Sequence, residues 1–321
     1  MAGGPSTPAL TIATLNAGGL GFLAGGYLTA AALGEAMAAV RAGSDAPFGV
    51  NLFVPGTPAR REDVEGYAST LQAEAAAFDV ALGDPKWDSD FFEDKVDYLV
   101  GDAPHLVTFT FGCPSVDVTQ RLHHAGAAVG VTVTSHAEAR TAAEAGADVL
   151  IVQGTEAGGH QGTFDGTAVN ETPLLDALGQ LRDVGLPMIA TGGIMSADDA
   201  AAAIDAGAVA VQLGTALLCT PEAATSAPYR AALLEGSYDE TVVTRAYSGR
   251  YARGLRNRFA REHLDAPNAY PEVHYLTRPL RQAATAAGNS DVPNLWAGTN
   301  WRAVTAAPAA EIVSRVARGL V

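Results

Sequence analysis

A helix that closes on Ala-Gly-Ala and runs straight into a short apolar strand occurs three times in this chain. Ala125-Gly126-Ala127 leads into Val129–Thr134, Ala145-Gly146-Ala147 into Val149–Val152, and Ala206-Gly207-Ala208 into Val209–Leu213; Asn16-Ala17-Gly18-Gly19 before Leu20–Leu23 is a fainter copy. Glycine just past a helix takes the left-handed backbone that ends it, and flanking alanines let helix and strand pack closely. Each copy is therefore an αβ joint. Phe48–Val54, Leu106–Phe111 and Met188–Thr191 bring the expected strands to seven. Most are unbroken apolar runs such as Val149-Leu150-Ile151-Val152, the pattern of strands buried on both faces. Helical patterns at His136–Ala145 and Ala197–Ala206 separate them, and Ser135-x-x-Glu138 and Ser196-x-x-Asp199 mark helix starts directly after strands. This order predicts a parallel sheet with its crossover helices outside.

Seven such units within about 220 residues match a TIM (β/α)8-type barrel lacking one strand better than an open doubly wound sheet. The strand expected to be missing or truncated is the first, because Met1 to Pro8 reads as a loop leaving a strand, followed by a helix start. After about residue 225 the rhythm stops. Residues 226–302 carry Arg-rich and aromatic-rich patterns, then a Pro/His/Tyr stretch from Pro267 to Pro279, and are expected to form a mainly helical cap over the barrel mouth. The expected organisation is a barrel over 1–225, the cap over 226–302, and a C-terminal helix within 303–321 that returns to the barrel.

The formal net charge is −15, with Lys86 and Lys95 the only lysines beside the arginines. No basic field is available for phosphate backbones or anionic lipid heads, which removes nucleic acid and membrane surfaces as default partners. Cys113 and Cys219 read as buried thiols of an intracellular enzyme rather than as a disulfide framework. With no long apolar span and no signal-peptide layout at the start, a soluble cytoplasmic protein is expected.

The strongest local signal is Gln153-Gly154-Thr155-Glu156-Ala157-Gly158-Gly159-His160-Gln161-Gly162, directly after an expected strand. In a barrel such a loop lies on the catalytic face; its glycines admit a flat ligand, and His160 suits proton abstraction. A flexible loop with a surface histidine is the plain alternative. Thr191-Gly192-Gly193-Ile194 and Gln212-Leu213-Gly214-Thr215-Ala216 end two consecutive strands, and glycine amides there, with a helix N-terminus, are the usual barrel cradle for phosphate. Asn51, Gln153 and Gln212 each place an amide at the end of an apolar strand, where a ligand or a capped turn must satisfy it. His123 and His124 are adjacent on a helix and diverge, and no Cys-x-x-Cys occurs, so no metal site is expected. His136 either orients His160 or is solvated, solvation being the favoured reading.

Together, Met1–Pro8, Asn16–Gly21, Asn51, Gln153–Gly162, Thr191–Ile194 and Gln212–Ala216, with Ser248-Gly249-Arg250 and Asn294–Gly298, resemble the nitronate monooxygenases, formerly called 2-nitropropane dioxygenases. The resemblance covers essentially the whole chain, and Glu156–Gly162 is its most diagnostic part. It implies an FMN-containing barrel that oxidises alkyl nitronates, such as propionate 3-nitronate, with O₂ to a carbonyl compound and nitrite, the nitronate handing one electron to the flavin. Carried over by position, His160 matches the family's catalytic histidine. Asn51, Gln153, Gly158, Gly192, Gly193, Gln212, Leu213, Gly214 and Thr215 match FMN-contacting positions, and Met1, Ala2 and Gly3 match the flavin-side loop after the first strand. The partners so implied are a small nitronate or nitroalkane and O₂, with a homo-oligomer left open. The competing reading is an NAD(P)H-dependent flavin enoyl-thioester or quinone reductase on the same barrel.

Overall fold

The computed structural model describes residues 1–320. Seven parallel strands form one curled sheet: β1 (Phe22–Ala24), β2 (Gly49–Phe53), β3 (Leu106–Thr110), β4 (Ala128–Val133), β5 (Val149–Gln153), β7 (Met188–Thr191) and β8 (Ala210–Gln212), in that order. All seven expected strands are present. Among the described residues β8 and β1 do not pair, so the barrel is curled but not closed, and helix Pro8–Asn16 precedes β1.

The three strongest αβ joints share one local geometry. Gly126, Gly146 and Gly207 have φ of +90°, +87° and +107°. In each joint the following alanine N–H reaches back to the carbonyl five residues earlier, Ala127 to Leu122, Ala147 to Ala142 and Ala208 to Ala203, all at 3.0 Å. That bond and the left-handed glycine are the Schellman ending, which satisfies the last helix carbonyls while turning the chain into the next strand. At the other end, Ser135 and Ser196 accept from the N–H of Glu138 and Asp199, as their spacing predicts.

Apolar side chains of β2, β3 and β4 pack with Leu33, Met37, Val96, Leu99 and Leu122 from the outer helices. A second cluster packs β5 and β7 against Leu174, Leu178, Ala200 and Ala203. Parallel pairing aligns the C-terminal ends of the strands: Phe53 lies opposite Thr110, Gln153 opposite Thr191, and Thr191 opposite Gln212, while Asn51 pairs mid-strand with Thr108.

Residues 226–302 hold helices Ala227–Glu235, Arg258–Glu262 and Glu272–Ala286, and also two strands, β9 (Thr241–Thr244) and β10 (Ala252–Leu255). These join β6 (Gly159–His160) in a small antiparallel sheet with β10 in the centre. The segment is mainly helical, as expected, with this small sheet added to it. Its core also draws Val64, Tyr67 and Leu71 from the β2–β3 crossover. Helix Ala309–Ala317 places Ala309 and Ile312 in a cluster with Leu10 and Leu217. No helix among the described residues is long and apolar enough to cross a membrane.

Candidate active site

Above the ends of β5, β7 and β8 lies a cleft of about 430 Å³ bordered by Gln153, Gly158, Thr191, Gly192, Gly193, Gln212, Gly214 and Thr215, and by Gly298, Asn300 and Trp301 from the C-terminal segment. Gly192 and Gly193 have φ of +120° and +72°, backbone that a side chain strains. At Gly158 a Cβ would come within 2.5 Å of the Gly298 amide nitrogen, so only glycine lets these two loops meet. Among the described residues the N–H groups of Gly192, Gly193, Gly214 and Thr215 donate to no carbonyl, so two adjacent turns with free amides border the cleft. The start of helix Ala197–Asp205 is different. Asp199 Oδ2 accepts from Met195 N, Ser196 N and Ser196 Oγ at 2.9, 2.9 and 2.8 Å, so this helix caps itself and the free donors are those of the glycine turns.

His160 sits in β6, above the end of β5. Gln153 fastens it: its Nε2 donates to the His160 carbonyl at 3.1 Å and its Oε1 accepts from Gly162 N at 2.7 Å. The backbone pairs with β10, His160 opposite Ala252. His160 Nε2 lies 2.7 Å from Ser248 Oγ. Phe111, Tyr270 and Trp296 surround the ring at centroid distances of 5.6, 5.7 and 5.5 Å. Beyond them Tyr270 donates to the Tyr27 hydroxyl at 3.1 Å, and Tyr27 stacks on His274 at 4.3 Å. These aromatic groups continue into a second hollow lined by Tyr27, Phe53, Asp88, Asp90, Tyr270 and Tyr275.

Two arginines carry positive charge near the His160 ring, while Asp88 and Asp90 border the hollow beyond it. Arg250 is buried, lies 4.3 Å from the Phe111 ring centre and donates only to oxygens of Gln161 and Thr163. Arg281 donates to Thr277 Oγ1, Asn294 Oδ1 and the His274 carbonyl at 3.0, 2.7 and 3.0 Å. Among the described residues neither arginine has a carboxylate within ion-pair distance, whereas Lys95, deeper in the fold, is paired with Asp90 at 2.7 Å. Loss of water around the ring, then the charges of Arg250 and Arg281, push the His160 pKa down to about 3. Burial likewise lowers both arginines to about 10 and raises Tyr27 to about 12. The lowered pKa makes His160 neutral but a weaker base than a free imidazole, so a proton it takes has to be offset by the anion formed beside it, which the charges of Arg250 and Arg281 also favour.

Of the residues expected to hold a cofactor, Gln153, Gly158, Gly192, Gly193, Gln212, Gly214 and Thr215 share the cleft. Leu213 instead packs against the flanking apolar clusters. Asn51 lies mid-strand in β2 rather than at its end, its Nδ2 donates to Thr108 and Thr110, and it is outside the cleft border. Met1, Ala2 and Gly3 form a turn ahead of the first helix, with Gly3 against the Tyr27 ring. His136 pairs with Asp183 at 2.9 Å on the surface, and His123 and His124 bond Asp148 and the Gln120 carbonyl, in different directions. The walls Phe111, Tyr270, His274 and Arg281 had no local signal. They come from the turn after β3, the residue before Pro271 and the helix Glu272–Ala286, and join the site only through the fold.

The family model described as nitronate monooxygenase matches residues 1–319. A probable nitronate monooxygenase of Staphylococcus saprophyticus is 34% identical, covering 98% of this chain and 91% of its own. A nitronate monooxygenase of Paraburkholderia phytofirmans is 36% identical, over 99% and 90%. Among solved structures, nitroalkane oxidase from Streptomyces ansochromogenes superimposes with a TM-score of 0.96 at 44% identity, covering 100% of this chain and 93% of that one. FabK from Thermotoga maritima follows the same fold with a TM-score of 0.74 at 26% identity, over 100% and 90%.

Proposed function

The chain belongs to the nitronate monooxygenase family, and from that membership and the site geometry we propose that it oxidises alkyl nitronates with O₂ to a carbonyl compound and nitrite, on FMN held in the glycine-lined cleft, with His160 as its base. The observation that carries this reading is His160, held by Gln153 and Ser248 above the glycine-lined cleft, with Arg250 and Arg281 near it bonded to neutral oxygens and, among the described residues, to no carboxylate. Such a site favours a substrate that becomes, or already is, an anion.

The residues present fit FMN. Four partnerless amides on the Gly192–Gly193 and Gly214–Thr215 turns match a phosphate, as glycine turns at barrel strand ends do. Gln153, Gly158 and Gln212 border the rest of the cleft, where backbone approaches a flat ring without a side chain intervening. Bound there, FMN supplies the electron acceptor and the route to O₂. Neutral His160 takes the α-proton of a nitroalkane, or leaves a preformed nitronate to react without proton transfer. Arg250 and Arg281 stabilise the anion from the surrounding wall. Phe111, Tyr270 and Trp296 exclude water from the His160 ring, which keeps it unprotonated and strengthens that field. The barrel over 1–225, the cap over 226–302 and the returning C-terminal helix remain the proposed division of labour: the first holds flavin, the second walls off substrate.

The test is turnover by FMN-loaded protein. Ethyl nitronate should draw O₂ with matching release of nitrite; no uptake with any nitronate overturns the reading. His160→Asn should abolish turnover of nitroethane while sparing much of the nitronate activity, and equal loss on both would remove the base role.

A further inference from the structure

We propose that Ser248 is the positioning residue that fixes the tautomer of His160, so that Nδ1 of His160 is the nitrogen that takes the substrate proton. The inference rests on His160 being the base. The two ring nitrogens have different surroundings. Nε2 lies 2.7 Å from Ser248 Oγ, whereas Nδ1 has no protein partner. The rings that flank it offer none: Phe111 has no polar atom, and the Tyr270 hydroxyl donates to Tyr27.

Ser248 is built to stay where it is. It is 2% exposed and sits in a turn closed by Ser248 N and Gly249 N onto the Arg245 carbonyl at 3.2 and 2.8 Å. Gly249 has φ of +82°, and a Cβ there would come within 2.3 Å of the Ala269 carbonyl oxygen, so the turn is pressed against the 269 strand of chain. Directly after it, Tyr251 accepts from Gln161 N at 2.8 Å and Ala252 pairs with His160. Serine and histidine are therefore presented from neighbouring, hydrogen-bonded segments.

A serine hydroxyl has one proton to give. Ser248 Oγ lies 3.3 Å from the Arg250 carbonyl oxygen and donates to it, which serves a buried carbonyl. The oxygen then accepts from His160, so Nε2 carries the proton of the neutral ring and Nδ1 keeps the lone pair. Other groups facing the ring are Arg250 from the same turn, Tyr270, His274 and Arg281 from the 270–281 segment, and Trp296; no carboxylate is within ion-pair distance to reverse the tautomer. In the step itself the substrate Cα–H bond breaks, its electron pair becomes the C=N bond of the nitronate, and the proton forms a bond to Nδ1. The resulting imidazolium keeps its Nε2–H on Ser248 and its charge balances the nitronate.

The test uses FMN-loaded protein labelled with ¹⁵N-histidine, the His160 signals being those lost in His160→Asn. The expected spectrum at neutral pH shows Nε2 protonated and Nδ1 bare; a protonated Nδ1 overturns the proposal, whatever the variants do. Ser248→Ala should lose about 10- to 100-fold in kcat/KM on nitroethane, a fraction of what a general base contributes, while ethyl nitronate changes less than about threefold. Ser248→Thr, which retains the hydroxyl, should restore most of the loss. Equal loss on both substrates, or none on nitroethane, overturns the role of Ser248. If His160→Asn itself shows no difference between the substrates, it is the base assignment that fails.

Discussion

Replacing Gly192 by alanine tests whether the glycine turns are a ligand cradle and not merely loop. Gly192 has φ of +120°, where a side chain costs about 1–3 kcal/mol. The added Cβ would lie 3.1 Å from Ala157 N and 3.2 Å from the Gly154 carbonyl oxygen, both main chain and both unable to rotate aside. Crowding of this kind adds roughly 1 kcal/mol. If the turn keeps its shape, the sum of about 2–3 kcal/mol appears as lost stability. If it relaxes instead, the amides move and FMN affinity falls by about 30-fold for each 2 kcal/mol. Gly214→Ala is the control. Its backbone φ is −123° and a Cβ there meets nothing within 4 Å, so the apoprotein should stay within about 0.5 kcal/mol of the parent while FMN binding weakens. Urea unfolding of the apoproteins and flavin-fluorescence titration separate the two effects. A Gly192→Ala protein with parental stability and parental FMN affinity refutes the reasoning, as does a Gly214→Ala apoprotein destabilised as much as Gly192→Ala.

Lys95→Met should cost about 3 kcal/mol in urea unfolding, because it leaves Asp90, also bonded to Tyr27 N, without its buried counter-charge; adding Asp90→Asn should recover part of the loss. Asp199→Ala should cost about 1 kcal/mol by uncapping its helix, with FMN affinity changed less than about threefold, since the carboxylate serves Met195 and Ser196. His160 has a pKa lowered from 6.5 to about 3, so between those values the unfolded chain binds the proton and the folded one does not. The stability this neutral histidine allows is therefore present above pH 6.5 and lost as pH falls toward 3, at up to about 1.4 kcal/mol per pH unit. Unfolding measured from pH 7 to 5 should show a shallower slope in His160→Asn, and an unchanged slope would contradict the half-buried, neutral ring.

The parts of this protein legible in its sequence are those encoded locally. Ala-Gly-Ala joints carry their own helix ending and strand start, so three strand positions, and the catalytic end of the sheet with them, follow from a few adjacent residues. Glycine turns at 192–193 and 214–215 are readable for the same reason: the residue type itself reports the backbone. The small sheet was hidden. β6 is two residues long and exists only because Ala252 lies beside it, and β10 reads as polar because Arg253 reaches across to the Thr155 carbonyl at 2.9 Å. The groups that surround or act on His160, Phe111, Tyr270, His274, Arg281 and Trp296, are spread over almost 190 residues of chain, and none of these bears a mark of its partners. At Asn51 the residue type shows that an amide needs partners but not which ones: threonines on the neighbouring strand take its Nδ2.

The most direct test of the proposed chemistry is to mix the FMN-loaded protein, without O₂, with propionate 3-nitronate and separately with NADPH while following the flavin absorbance. Nitronate should bleach the oxidised flavin spectrum within the time of turnover, and NADPH should leave it unchanged. Bleaching by NADPH alone would contradict the account and assign the same cleft and the same histidine to a nicotinamide-dependent reductase.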